Sequence, residues 1–179
     1  MLLIACAGCD KPAQRNPGHD PRDSAAQPSV SIRFQVDDPK RKAEGPSAYV
    51  QLENPDEDLK GMRNAEEVVF RGTELVVVLD YPLRDEFRFT LTSSRPEGFT
   101  RAELVKKISE LYKKVYEEEA QTSKVAVVPL KERKGLINRN ETNGKYGIWG
   151  HDLGDLVLHE IEISRDADGK AVAMLGIDS

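Results

Sequence analysis

The chain has 179 residues, 39% hydrophobic and 32% charged, with a formal net charge of −5 and a pI near 5.3. That length and apolar content suit one folded domain with a modest core. The mildly acidic balance gives no electrostatic footprint for nucleic acid, and no run reaches the roughly eighteen apolar residues of a membrane-spanning helix.

The N-terminal stretch, MLLIACAGC, is apolar, ends in small residues and is followed at once by polar chain. Leu3-Ile4-Ala5-Cys6 resembles the cleavage box of a bacterial lipoprotein signal peptide, with the basic region and most of the apolar region that usually precede it missing. The resemblance implies lipidation at Cys6, with Cys9 as the alternative. It also implies a membrane anchor and a place in the cell envelope, periplasm-facing or at the surface. Both cysteines lie in this stretch, so the body of the chain holds no disulfide, thiol nucleophile or thiolate metal site. Residues 10–29 are poor in bulky apolar side chains and read as a flexible tether, with His19 solvated within it. Residues 30–179 then form a single globular α+β domain.

Residues 30–36 alternate strictly and predict a half-buried strand, with a second at 48–52. Residues 54–64 are polar and read as a loop with room for one helical turn. Residues 67–71, Gly72-Thr73 and residues 74–80 read as a hairpin on a type II′ turn. The unbroken apolar run 75–79 predicts a central strand covered on both faces. Phe87 to Leu91 alternate again, completing a three-stranded meander.

Thr100-Arg101-Ala102-Glu103 is a capping box, with Phe99 and Leu104 at the hydrophobic-staple positions. Leu104, Val105, Ile108, Leu111, Tyr112, Val115 and Tyr116 recur at helical spacing and form one apolar stripe. Glu103–Lys107 and Glu110–Lys114 are favourable pairs on the outer face. This one long amphipathic helix is expected on a face of an antiparallel or mixed sheet of about seven or eight strands.

A short strand is expected at 124–128, then a long irregular stretch to Gly154, with the basic run 131–134 a solvated loop face. Residues 155–163 and 170–175 form a final hairpin turning at Asp168-Gly169 with a type I′ signature. Leu156 and Leu158 share one parity, Ile161 and Ile163 the other, so a β-bulge is expected at His159-Glu160.

The stretch 129–154 is longer than ordinary loops. Leu136, Ile137, Tyr146, Ile148, Trp149 and Leu153 give it enough apolar weight to pack down. Within it, residues 143–155 (NGKYGIWGHDLGD) hold four of thirteen glycines and the only tryptophan. The glycine spacing is neither a dinucleotide fingerprint nor a phosphate loop. No nucleophile elbow is present, and no cofactor or metal is called for. Tyr146 and Trp149 offer contact area for a protein or small-molecule ligand, and His151, Asp152 and Asp155 directional polar contacts. The alternative is a metal-assisted or acid–base hydrolase using His151, Asp152 and Asp155, with His159 nearby. Equally, the aspartates can cap turns and His151 can bond a neighbouring carbonyl.

The segments PEGFTRAELVKKISELYKKVYEEE and LINRNETNGKYGIWGHDLGDLVL together resemble a family of uncharacterised proteins with plant and bacterial members. The likeness covers about a third of the chain. It implies no activity and no functional residue.

Overall fold

The computed structural model describes residues 29–37, 45–135 and 138–179. The lipobox, Cys6, Cys9, the tether with His19, and Leu136 and Ile137 lie outside the described residues. In chain order the elements are β1 (Val30–Arg33), β2 (Val50–Gln51), α1 (Asp56–Gly61), β3 (Val68–Phe70), β4 (Glu74–Leu79), β5 (Phe87–Thr92), β6 (Phe99–Thr100), α2 (Arg101–Thr122), β7 (Val157–Arg165) and β8 (Ala171–Asp178). The class is α+β. A mixed sheet of six strands runs β1-β7-β8-β4-β5, with β2 also paired to β7, and β3 and β6 form a separate two-stranded sheet.

The six-stranded sheet is smaller than expected because the meander does not form. β4 and β5 pair antiparallel from Glu74–Thr92 to Leu79–Phe87. The other neighbour of β4 is β8, in parallel, and β3 turns away to β6. Gly72 lacks the positive φ that a type II′ turn needs at its first central position. The Phe70 ring instead fills the space beside Gly72 and packs 6.2 Å from Phe99. The strand expected at 124–128 is likewise irregular chain.

Alternation decides which face is buried. Leu75, Val77 and Leu79 of β4, Leu158, Ile161 and Ile163 of β7, Ile32 of β1 and Ala173 of β8 join one core cluster. Leu104, Val105, Ile108, Leu111, Tyr112 and Val115 of α2 belong to the same cluster, so the helical stripe covers the sheet as its spacing dictates. Each such large aliphatic side chain contributes about 1.5–3 kcal/mol on burial. β4 is central as expected, with Val78 on its opposite face also fully buried.

The start of α2 departs from its expected cap in one detail. The Thr100 hydroxyl accepts the Glu103 N–H at 3.2 Å, and Phe99 and Leu104 are both buried. The Glu103 carboxylate, however, accepts the Ser94 N–H at 2.6 Å and the Ser93 hydroxyl at 3.3 Å. It therefore ties the preceding loop to the helix. Lys107 reaches Glu103 at 3.7 Å, whereas Lys114 pairs with Glu118 at 3.8 Å rather than with Glu110.

The expected bulge is present. Leu158 pairs with Ile177 and Glu160 with Gly176, leaving His159 without a register partner on β8. On the other edge of β7, β1 pairs with residues 160–163 and β2 with 157–158. His159 thus also marks the break between two successive partner strands. The β7–β8 turn has a different geometry from the one expected. Only Gly169 has a positive φ, and its N–H meets the Asp166 carbonyl at 2.9 Å. That is a type I turn closed by a left-handed glycine, with the Asp166 carboxylate accepting the Asp168 and Lys170 N–H groups.

Candidate functional site

The glycine-rich stretch folds as a strap closed on itself. Arg139 N–H donates to the Gly150 carbonyl at 2.9 Å, and Thr142 N–H to the Ile148 carbonyl at 2.9 Å. Gly147 and Gly150 take positive φ values of 65° and 72°, which permit the reversal.

The strap is tied down at its tip by a residue that sequence reasoning missed. Glu119, in the last turn of α2, is fully buried. Its Oε1 accepts the Gly144 N–H at 2.8 Å, and its Oε2 accepts Tyr146 N–H at 2.7 Å and Gly147 N–H at 3.1 Å. Burial alone disfavours the carboxylate. Bonds from the Thr142 hydroxyl and the three backbone N–H groups outweigh it and hold the group below the ordinary Glu range. Gly144 is required by close approach rather than by φ: a β-carbon there would lie 2.7 Å from the Glu119 carbonyl oxygen. Next to it, Glu118 accepts the Tyr146 hydroxyl at 2.6 Å and the Lys145 ammonium at 2.7 Å.

These contacts place the expected site residues differently from one another. Tyr146 is 1% exposed, with its ring edge-on to Phe87 at 4.8 Å. It closes the core and offers no surface to a ligand, because the Glu119 cradle draws its backbone inward. Trp149 is 40% exposed. Its N–H groups fix it to the turn after β4: the backbone donates to Pro82 O at 3.1 Å and the indole to Leu83 O at 3.3 Å. Tyr81 meets its ring at 5.3 Å and 86°, and His151 at 6.0 Å and 65°.

His151, half-buried, lies 5.6 Å from the Tyr81 ring. Its Nε2 is 3.4 Å from the Ser179 hydroxyl, which in turn lies 2.9 Å from the Tyr81 hydroxyl. The two aspartates face elsewhere. Asp152 pairs with Arg133 at 2.7 Å and with Arg139 at 3.7 Å, and Asp155 accepts the Asp152 N–H at 2.9 Å as a local cap. Of the three residues of the hydrolase alternative, the two aspartates are thus joined at the Asp152 N–H, while His151 faces Tyr81 and Ser179. Among the described residues no group of three or more His, Cys, Asp or Glu is placed to hold a metal ion.

Beneath the strap, Arg139 is 5% exposed, and its Nη1 has no hydrogen-bond partner. Its guanidinium sits 5.4 Å from the centre of the Tyr116 ring, a cation–π contact that partly replaces the missing acceptor. Burial pulls Arg139 below its ordinary value. It also pushes the Tyr116 phenol up, and that hydroxyl donates to the His151 carbonyl at 3.0 Å.

Tyr81 and Ser179 join the site only through folding, and no spacing in the sequence pointed to either. For Glu119 the single available signal was its place near the end of a predicted helix, shared with two neighbouring glutamates. Comparison with protein-family models, with curated proteins and with solved structures returns no match to this chain.

Proposed function

We propose that this protein is an envelope lipoprotein, anchored through a lipid on Cys6 (or Cys9), whose Trp149 strap is a non-catalytic contact surface for a protein or small-molecule ligand. One observation carries the contact surface: a large aromatic ring is 40% exposed on backbone that is fixed from both sides. Glu119 holds the strap tip, and Pro82 and Leu83 hold Trp149 itself. An aromatic anchor held in place before binding loses little freedom on contact, which is how a small patch gains affinity. Tyr81 and His151 extend the patch with ring surface and a polar edge. The anchor rests on the Leu3-Ile4-Ala5-Cys6 box.

Two experiments test the parts separately. Metabolic labelling with a fatty-acid probe is expected to mark the protein in a bacterial host and to be lost in a Cys6→Ser variant. Labelling that survives Cys6→Ser and Cys9→Ser together removes the anchor. A photo-crosslinking residue at position 149, expressed in the native envelope, is expected to give a discrete adduct that the same residue at the exposed Glu117 does not. Equal labelling at both positions removes the contact surface.

A further inference from the structure

A cavity of about 620 Å³ opens where β7 changes partner from β1 to β2. It shares no lining residue with the Trp149 strap. Arg33, Arg63 and Arg101 line it together with His159, Asn64 and Glu160, so a chain of net charge −5 gathers three guanidiniums around one opening. The size lies within the range of small-molecule sites.

Arg101 and Arg63 are held by several contacts each, and Arg33, with a side chain 77% exposed, by one. Arg101, whose side chain is only 14% exposed, donates to the Arg33 carbonyl at 2.6 Å and to Glu67 at 2.9 Å. Arg63 is held by both oxygens of Asp37, at 2.8 and 2.7 Å. Arg33 rests on Glu160 at 3.2 Å. A guanidinium carries five N–H donors and no acceptor. The contacts of Arg63, the most heavily used, take three of its nitrogens, counting a long one to Gln35. Among the described residues, unused donors remain on all three. The carboxylates balance the charge and leave a surplus of donors, which suits a ligand rich in acceptor oxygens.

His159 adds a fourth donor. It is the bulge residue, it is exposed, and its ring nitrogens have no hydrogen-bond partner among the described residues. Its ring occupies the space that a β-carbon on Gly176 would need, 2.5 Å from the Cε1 atom. The bulge and the glycine together aim the imidazole. Asn64, also in the lining, has a φ of 54° and is the one non-glycine residue with positive φ among the described residues.

We infer that this cavity binds a small oxyanion-bearing molecule, with Arg33, Arg63, Arg101 and His159 donating to its phosphate or carboxylate oxygens. The test follows the His159 Cε1–H signal of the full chain by proton NMR at about pH 6, where an imidazole senses a nearby anion. The signal is assigned by its loss in His159→Gln. Inorganic phosphate in one arm and succinate in the other are expected to move it saturably while His151 stays still. Response to phosphate alone assigns a phosphate ligand, response to succinate alone a carboxylate, and response to both the oxyanion class. The double variant Arg33→Gln, Arg63→Gln changes two well-exposed side chains. It is expected to keep the unfolding midpoint and to weaken binding by about tenfold or more, as loss of charge-assisted hydrogen bonds implies. Two results overturn the inference: no saturable movement up to about 20 mM of either anion, or equal affinity in the double variant.

Discussion

The Glu119 carboxylate accepts the backbone N–H of Tyr146 at 2.7 Å across 27 positions of sequence, and on that contact the strap closes over the sheet. Replacing Glu119 with alanine strands three backbone donors at Gly144, Tyr146 and Gly147. Each buried unsatisfied group costs about 1–3 kcal/mol, so a loss of about 3 kcal/mol or more is expected in urea denaturation. Trp149, the only tryptophan, is expected to report it by red-shifted emission before global unfolding. An unaltered midpoint in Glu119→Ala contradicts the clasp.

The same carboxylate sets a pH dependence. Its folded pKa is lowered, so between the folded value and the ordinary Glu value of about 4.3 the unfolded chain binds more protons. Stability rises with pH through that window. It is fully present above it and is lost as pH falls through the folded value. Glu103 acts in the same direction: its burial is outweighed by bonds from Ser94 and Ser93 and by the nearby Lys107. The urea midpoint is expected to be level from about pH 7 to about pH 5 and to drop below about pH 4. Glu119→Gln is expected to start lower and show a shallower acid limb. A midpoint that climbs on acidification through pH 4 defeats the assignment.

The strap glycines are expected to rank by mechanism. Alanine at Gly144 meets main-chain and carboxylate oxygen of Glu119, both at 2.7 Å, in a helix turn that cannot yield. Alanine at Gly147 meets the Arg84 guanidinium, the mobile end of an exposed side chain, and carries in addition the strain of positive φ. Alanine at Gly150 meets nothing within 4 Å and costs only that strain, about 1 kcal/mol. Thermal unfolding is expected to order the variants Gly144, Gly147, Gly150 from most to least damaged. The reverse order rejects the packing described.

Asp152 and Arg139 give a paired test. Asp152→Ala removes the carboxylate facing two nearly buried guanidiniums. It is expected to cost about 1–3 kcal/mol, moderated because Asp152 itself is partly exposed. Arg139→Met removes a buried cation with an orphaned nitrogen and keeps the bulk against Tyr116. It is expected to be neutral or stabilising. Denaturation of both variants at neutral pH measures the difference.

Local rules carried much of this fold. The α2 stripe, the Thr100 cap, the bulge at His159 and the β4–β5 pairing all follow from patterns within about twenty neighbouring residues. What failed was non-local. The parity of β3 fits a meander as well as it fits the ribbon with β6, and the contacts that favour the ribbon, Phe70 with Phe99 and Arg101 N–H with the Glu67 carbonyl, join residues about thirty positions apart. The parallel β4–β8 pairing leaves no local mark at all. At the site, Tyr146 and Trp149 read alike in sequence, yet Tyr146 is core and Trp149 is 40% exposed. Glu117, Glu118 and Glu119 are three identical letters, and helical phase alone turns the last one inward.

β8 lies between β7 and β4, antiparallel to one and parallel to the other. Synthesis delivers residues 171–178 after every other strand of that sheet. Until they arrive, β4–β5 and the β1–β2–β7 group are half-sheets with raw inner borders and no ladder joining them. Among the described residues β8 alone joins the two halves by backbone ladders, so the sheet is continuous only through its pairing with both neighbours.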